Sequence, residues 1–531
     1  MTERSERGGS RRDDRGGYGD RGYRGGSGGG GGRGGDRGYR GDRGHRGGSG
    51  YRGGSGGGRG GDRGYRGGSG GDRGGDRGYR DGERGRSRRV YDDEPRDGLL
   101  ADLVGHLHAL DGRSYAAYKA IVGRYRAPAG WFLHIDRVQS DPYAPPTRIH
   151  VDVPTDLHGL ELLDEADLLA DADRRLAVGD FLTRELHAGF RGTALSIASP
   201  GQEILQRSSI ILRPDEKKEG TGWVLEVRAR LALPAQGRSI QGHEASRIVG
   251  RDLVRELEEA MDLTGERGDR LVRHVATLED HRALTATVAR NGWVAFLADG
   301  SVLPRRSGVS DDPLDGGVPL QAPESMAATV ELPHAGTVRG TVVEAGVNVI
   351  VGGGYHGKST LLSAIERGVY PHVPGDGREL VATVPDAVKV RAADGRAVTG
   401  VDLTPFISHL PAGRDTASFT TRNASGSTSQ AASIIEAVEA GATTLLLDED
   451  TSATNLLIRD SRMRELVAAE REPITPLVDR ITALFRRRGV STVMVMGGSG
   501  DYLDVADRVL LMDAYHLRDV TEQARRRRPR P

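Results

Sequence analysis

VNVIVGGGYHGKSTLLSAI, residues 347–365, is the stretch on which the reading of this 531-residue chain turns. An apolar strand, 347–351, runs into a glycine-rich loop and then into an amphipathic helix. Gly352-x-x-x-x-Gly357-Lys358-Ser359 is a complete phosphate-loop pattern in its strand–loop–helix setting. Glycines let backbone N–H groups turn inward and cradle β- and γ-phosphates. The helix start adds its partial positive charge. Gly352, Gly353, Gly354, Tyr355, His356 and Gly357 are thus expected around a nucleotide. Lys358 is expected to bridge the β- and γ-phosphates, and Ser359 to ligate Mg²⁺ with Thr360 close by. His356 is read as a loop residue, with a direct catalytic role as the alternative, because geometry must come first for a general base.

Working outward, TTLLLDED (443–450) supplies a partner strand. Its apolar run delivers Asp448 to hold Mg²⁺, directly or through water, and Glu449 to orient or deprotonate an attacking water. Such a strand is weak evidence alone. Ninety residues after Lys358 in one α/β domain, it becomes strong.

NASGSTSQAASIIEAVEAG (423–441) sits directly before that strand. Its Ser-Gly-Ser-Thr loop opens a helix that Asn423 or Ser425 can cap. A helix start with small residues is a second phosphate-binding surface. Ser425, Gly426 and Ser427 resemble the core of the signature loop of ABC-type ATPases, although Ala424 stands where Leu is usual. TSATN (451–455) follows where such proteins carry their D-loop, with Asp450 for the usual Pro and Asn455 for the usual Asp. The resemblance implies a head-to-tail homodimer with two ATP molecules sandwiched between the subunits.

The remaining sequence has two regimes. Residues 1–89 hold 23 Arg against 12 acidic residues, net +11, and the formal net charge of the whole chain is zero, so the rest carries −11. GDRGYR occurs four times, from Gly19, Gly35, Gly61 and Gly75, with RGG between the copies. With almost no aliphatic side chain, this segment cannot offset the entropy of ordering and is expected to be disordered. Arginine pairs phosphates, and tyrosines such as Tyr18, Tyr39 and Tyr65 offer stacking faces. The 1–90 segment is therefore read as a contact for RNA or single-stranded DNA. A solubilising linker is the bland alternative, favoured by the interspersed Asp residues.

Cysteine is absent, which removes disulfide, thiolate and Cys-ligated metal chemistry. No apolar run reaches the roughly 18–20 residues of a membrane span, and the N-terminus lacks the apolar segment of a signal peptide. The expectation is a cytoplasmic protein without a membrane partner.

Upstream of the phosphate loop the pattern is mixed α/β. Helices are expected over 99–110, around 159–188, and over 243–262 and 267–289. Strands are expected over 131–138, 149–153, 208–213 and 223–233, and WVAFLADGSVLPR (293–305) reads as strand, turn and strand. No motif in this region names a chemistry.

GGGYHGKSTLL, PGDGRE (374–379), ASGSTSQAA, DEDTSATN, RDSRMRELV (459–467), EPITPLVDR (472–480) and GGSGDYLDVAD (497–507) together resemble the family of predicted ATPases of the ABC class. LDGRSYAAYKAIVGRY (110–125), DRVQSDPYAPP (136–146) and LPAQGRSIQGHEA (233–245) resemble that family's N-terminal domain. The resemblance covers roughly 97–520 and implies ATP binding, Mg²⁺-dependent hydrolysis, and an N-terminal domain joined to an ABC-type ATPase domain. It also implies association with RNA in part of the family. The organisation expected is a disordered Gly/Arg-rich segment at 1–92, a mixed α/β N-terminal domain at 93–330, the ATPase domain at 331–520 and a basic tail at 521–531. Family members often continue into another small domain, where this sequence ends in ARRRRPRP (524–531). Transport-type ABC proteins carry a His that contacts the γ-phosphate, but STVMVMGGSGDY (491–502) has none. Ser499, or backbone N–H groups of 497–500, would take its place, and turnover would be slow, like a switch. His409 and Asp415 lie where a Q-loop equivalent would fall. The reading that results is an ATP-gated dimeric clamp on single-stranded nucleic acid; the alternative is a nucleotide-binding regulatory or scaffold protein with little turnover.

Overall fold

The computed structural model describes residues 96–216, 218, 222–408, 410, 415–458 and 472–526. The Gly/Arg/Tyr segment, the 459–467 motif, His409 and residues 527–531 of the basic run lie outside the described residues. Among the described residues, no helix is long and apolar enough to cross a membrane.

The N-terminal sheet uses seven strands: β1 (Arg96–Leu99), β2 (Gly123–Arg126), β3 (Phe132–Arg137), β4 (Thr147–Pro154), β5 (Leu195–Ser196), β6 (Ile210–Pro214) and β7 (Trp223–Leu231). The order is β1-β2-β3-β4-β7-β5, with β6 also on β7, and only β1/β2 is parallel. Period-two alternation sets the two faces. Leu133, Ile135, Ile149, Val151, Val153, Leu225, Val227 and Leu231 point into the core. His134, Asp136, Arg148, His150, Asp152, Glu226 and Arg228 take the alternate positions on the other face. Helices α1 (Leu100–Ala109) and α2 (Ala172–Gly189) close the core side, with Leu103, Leu107, Leu182 and Leu186 buried in the same cluster.

The helical pattern expected around 159–188 is broken. A single turn, Leu162–Glu165, stops at Asp167, which takes a left-handed φ of 54°. Helix α2 then restarts behind Asp171, whose carboxylate accepts the Arg174 N–H at 2.9 Å. Residues 242–261 are one helical run with a wide turn at Ile248–Asp252.

Helix α3 (Gly265–Arg290) joins the two halves of the fold. Leu271, Val275 and Leu278 pack in the N-terminal core, whereas Leu284 and Val288 pack with Phe296 and Val342 further along. Beyond it come β8 (Trp293–Ala298), β9 (Ala327–Leu332), β10 (Gly336–Glu344), β11 (Val347–Gly352) and β12 (Val381–Thr383). β9, β10, β8 and β12 form an antiparallel sheet in that order. The second strand expected within 293–305 does not continue the pattern. Val302 makes one bridge to Pro319, and its N–H goes to the Gly377 carbonyl at 2.9 Å instead of to a hairpin partner. Arg305–Ser307 pairs with Ser310–Pro313.

β11 lies within the last sheet, completed by β13 (Ala387–Lys389), β14 (Thr444–Asp448), β15 (Ser491–Val495), β16 (Arg508–Asp513) and β17 (His516–Asp519). The order is β13-β14-β15-β11-β16-β17, parallel throughout except β16/β17. β14 and β15 are buried along their whole length, as strands covered on both faces must be. Helices α4 (Lys358–Arg367), α5 (Gly426–Glu439) and α6 (Ile481–Arg488) supply part of that cover. The fold is the expected one: mixed α/β, with a phosphate-loop domain following an N-terminal domain.

Candidate nucleotide site

Parallel strands deliver the site residues to one edge of the sheet. Ile350 of β11 and Asp448 of β14 both pair with Val495 of the strand between them, so the phosphate loop and the acidic pair leave the sheet at the same level. β11 ends at Gly352, with φ 147°. A Cβ there would stand 2.2 Å from the Met512 carbonyl oxygen of β16, so only glycine fits. Tyr355 takes φ 62° and is fully exposed, an uncommon backbone state for a tyrosine. Gly357, φ 97°, ends the loop against the Tyr515 ring.

Helix α4 begins at Lys358, and neither a capping side chain nor an acid occupies its first turn. Its leading N–H groups are therefore free for an anion. Lys358 Nζ donates to the carbonyls of Gly352 (2.9 Å) and Gly353 (2.8 Å), which folds the ammonium across the loop. Ser359 is exposed beside it, and Thr360 is half-buried.

His356 ties the loop down from outside. Its Nδ1 accepts the Ala514 N–H at 3.2 Å and lies 3.2 Å from Asp513 Oδ1, and its carbonyl accepts the Tyr515 N–H at 3.1 Å. Ala514 and Tyr515, φ 47° and 68°, form the left-handed turn between β16 and β17. Two non-glycine residues in that turn carry strain.

Asp448 is buried, 6% exposed, and its Oδ1 accepts the Asp450 N–H at 3.2 Å. Glu449 turns toward the end of β15, where its Oε2 accepts the N–H of Gly498 at 3.0 Å and that of Gly497. Ser499 is half-buried, and its Oγ accepts the Asp501 N–H at 3.2 Å.

Ser425 occupies the cap position of α5, with its Oγ 3.0 Å from Thr428 Oγ1. Gly426 and Ser427 form the first turn behind it. Asn455 is exposed in the short helix Thr454–Leu457. Asp415, from the unassigned Q-loop region, accepts the Ala417 N–H of its own turn at 2.8 Å.

Three connections around this site escaped the sequence reading. Fully buried Gln430 of α5 donates to Ser452 Oγ (2.8 Å) and accepts from Ala453 N–H (2.8 Å), pinning the loop after Glu449. Buried Tyr502 donates to the Leu457 carbonyl at 2.8 Å, pinning the same loop from the β15 side. The C-terminal end of α4 is held by the N-terminal half. Arg367 meets Glu203 Oε1 at 2.6 Å, and His281 Nε2 lies 3.2 Å from the Gly368 carbonyl. The one usable signal was polarity out of pattern, a Gln or His at a position where helix periodicity calls for an apolar side chain.

Residues 267–530 match the P-loop domain of the ABC_ATPase family, and residues 100–263 match the family described as ATPase of the ABC class N-terminal. An uncharacterized protein of Methanocaldococcus jannaschii is 27% identical over 263 residues, 45% of this chain. The match spans 58% of that relative's length. Among solved structures, cbiO1 from Clostridium perfringens, part of the ABC transporter complex cbiONQ, is similar at 11% identity and a TM-score of 0.27, over 44% of this chain and 92% of that one. A putative metal-chelate type ABC transporter in an inward-facing conformation is similar at 13% identity and a TM-score of 0.27, over 43% of this chain and 82% of that one.

Proposed function

Because the chain belongs to the ATPases of the ABC class, we propose that it binds ATP and hydrolyses it slowly, closing as a homodimer around each nucleotide and releasing on hydrolysis. The observation that carries this reading is the shared level of the phosphate loop and the Asp448–Glu449 pair on one sheet edge.

In this reading, the N–H groups from Gly352 to Gly357 and the first turn of α4 bind the β- and γ-phosphates, with Lys358 swinging off the Gly352 and Gly353 carbonyls onto them. The donor set suits a hard divalent ion: an exposed hydroxyl, Ser359, and a buried carboxylate, Asp448, which accepts the Asp450 backbone N–H. Mg²⁺ held there would neutralise phosphate charge. Glu449 accepts a proton from the attacking water once it leaves the Gly497 and Gly498 amides, and those amides, with Ser499, then face the γ-phosphate. Ser425, Gly426, Ser427 and Asn455 reach the nucleotide of the partner subunit.

The Arg and Tyr content of residues 1–90 supports single-stranded nucleic acid as what the dimer grips. Steady-state ATPase with and without single-stranded RNA, on the full chain and on a chain lacking residues 1–90, tests both parts. Turnover that rises with RNA only when the segment is present is the expected result. ATP binding with no turnover in any condition would leave a nucleotide-dependent scaffold as the better reading, and unchanged RNA affinity after the deletion would remove the nucleic-acid part.

A further inference from the structure

Two His-x-Asp triplets, His134-Ile135-Asp136 on β3 and His150-Val151-Asp152 on β4, lie side by side on the outer face of the N-terminal sheet. The antiparallel register sets His134 directly opposite His150. Their rings stack 4.1 Å apart, 11° from parallel. The diagonals bring each histidine to the other strand's acid: His150 Nδ1 is 2.9 Å from Asp136 Oδ2, and His134 Nε2 is 3.5 Å from Asp152 Oδ2.

From this arrangement we infer that His134, His150 and Asp152 form a binding site for a divalent metal ion of the zinc class. The three residues offer donor atoms that all lie within 4.8 Å of one another. Bonds of about 2.0–2.2 Å to zinc need the donors somewhat closer, which side-chain rotation on a fixed sheet supplies. Within the cluster, Asp152 Oδ1 is buried without a hydrogen-bond partner, and His134 Nε2 is buried with no hydrogen bond beyond its 3.5 Å approach to Asp152 Oδ2. Buried polar atoms without partners are rare. Asp136 completes the outer layer by fixing the His150 ring and leaving Nε2 with its lone pair, the usual arrangement behind a metal-bound imidazole.

Nearby arginines are the obvious objection, and Glu226 answers it. Its two oxygens take Arg213 Nε (3.2 Å) and Arg228 Nε (2.6 Å), which offsets their charge toward the cluster. Arg213 also holds Asp152 Oδ2 at 2.9 Å, so Oδ1 is the oxygen left for an ion. Two imidazoles and one carboxylate favour Zn²⁺ over Mg²⁺, which selects oxygen. His150 and Asp136 border a cavity of about 730 Å³ that Arg148 and Arg230 also line. Of the three proposed ligands only His150 lines that cavity, so a metal at the cluster would face it from the His150 side alone.

Chelator-treated full-length protein, dialysed against ZnCl₂ without nucleotide, tests the site. One equivalent of Zn²⁺ per chain is expected. His134→Gln/His150→Gln should weaken binding at least 100-fold, and Asp136→Asn about 10-fold through ring orientation. Co²⁺ in place of Zn²⁺ should give visible absorption bands in the parent protein. These variants leave Asp448 and the phosphate loop untouched, and the readout is metal rather than turnover. Less than one equivalent in the parent, or full binding by the folded double variant, would overturn the site. If the double variant does not fold, the Asp136→Asn and Co²⁺ results decide, and the absence of both effects counts against the metal.

Discussion

Glu449 Oε2 accepts the backbone N–H of Gly498 at 3.0 Å, so the acid proposed to meet water is held by the loop proposed to meet the γ-phosphate. The two roles exclude each other until the loop moves. Glu449→Gln keeps the acceptor oxygen but removes the base. It should slow phosphate release by about 10²–10⁴-fold while nucleotide affinity stays within a few fold. The same variant should trap an ATP-bound dimer, visible by light scattering. A variant that turns over normally would remove Glu449 from the chemistry.

Gln430 is the internal brace of the loop after Glu449. Both ends of its amide are used, toward Ser452 and the Ala453 N–H. Gln430→Ala leaves these half-buried groups without their partner, at a cost of up to about 1–3 kcal/mol, read by urea unfolding. ATPase should fall as well, because the loop that carries Asn455 loses its position. Normal stability with reduced ATPase would mean that the brace serves function alone.

How far the fold was legible depended on how local its code was. The phosphate loop, the Asp448–Glu449 strand end and the start of α5 announce themselves because their residues are neighbours in sequence and each residue type is required by backbone geometry. The strands that place His134 and Asp152 were legible from their alternation. Their pairing was not, because antiparallel register is set by contacts between distant segments. Gln430, Tyr502 and the Glu203–Arg367 pair were hidden for the same reason: a buried polar group reveals its partner only after folding. Asp167 split the expected helix because its left-handed backbone is a local conformation that no periodicity announces.

Gly352 is a packing constraint as well as a proposed member of the phosphate loop. Alanine at 352 would set a methyl 2.2 Å from the Met512 carbonyl, at φ 147°. Overpacking and backbone strain together should cost about 2–5 kcal/mol. Gly354→Ala meets nothing within 4 Å and should be far milder in thermal unfolding. Equal losses at the two positions would contradict the contact with β16.

His274 and His281 give the joint between the two halves of the fold a definite pH response. Burial pushes His281 down to about 4, only partly opposed by the Gly368 carbonyl. Burial, then the charges of Arg184 and Arg207, push His274 down to about 3, although it touches Asp180. Both are neutral in the folded protein at pH 7, and in the unfolded chain they titrate near 6.5. Above that value neither state takes up a proton, so they contribute no slope. As pH falls below 6.5, the unfolded chain binds protons that the folded protein refuses. Stability therefore drops by up to about 1.4 kcal/mol per pH unit for each histidine, until the folded value is reached. Urea unfolding between pH 7.5 and 4.5 should show this fall, with a shallower slope in His281→Gln. An unchanged slope would mean that His281 is protonated in the folded protein.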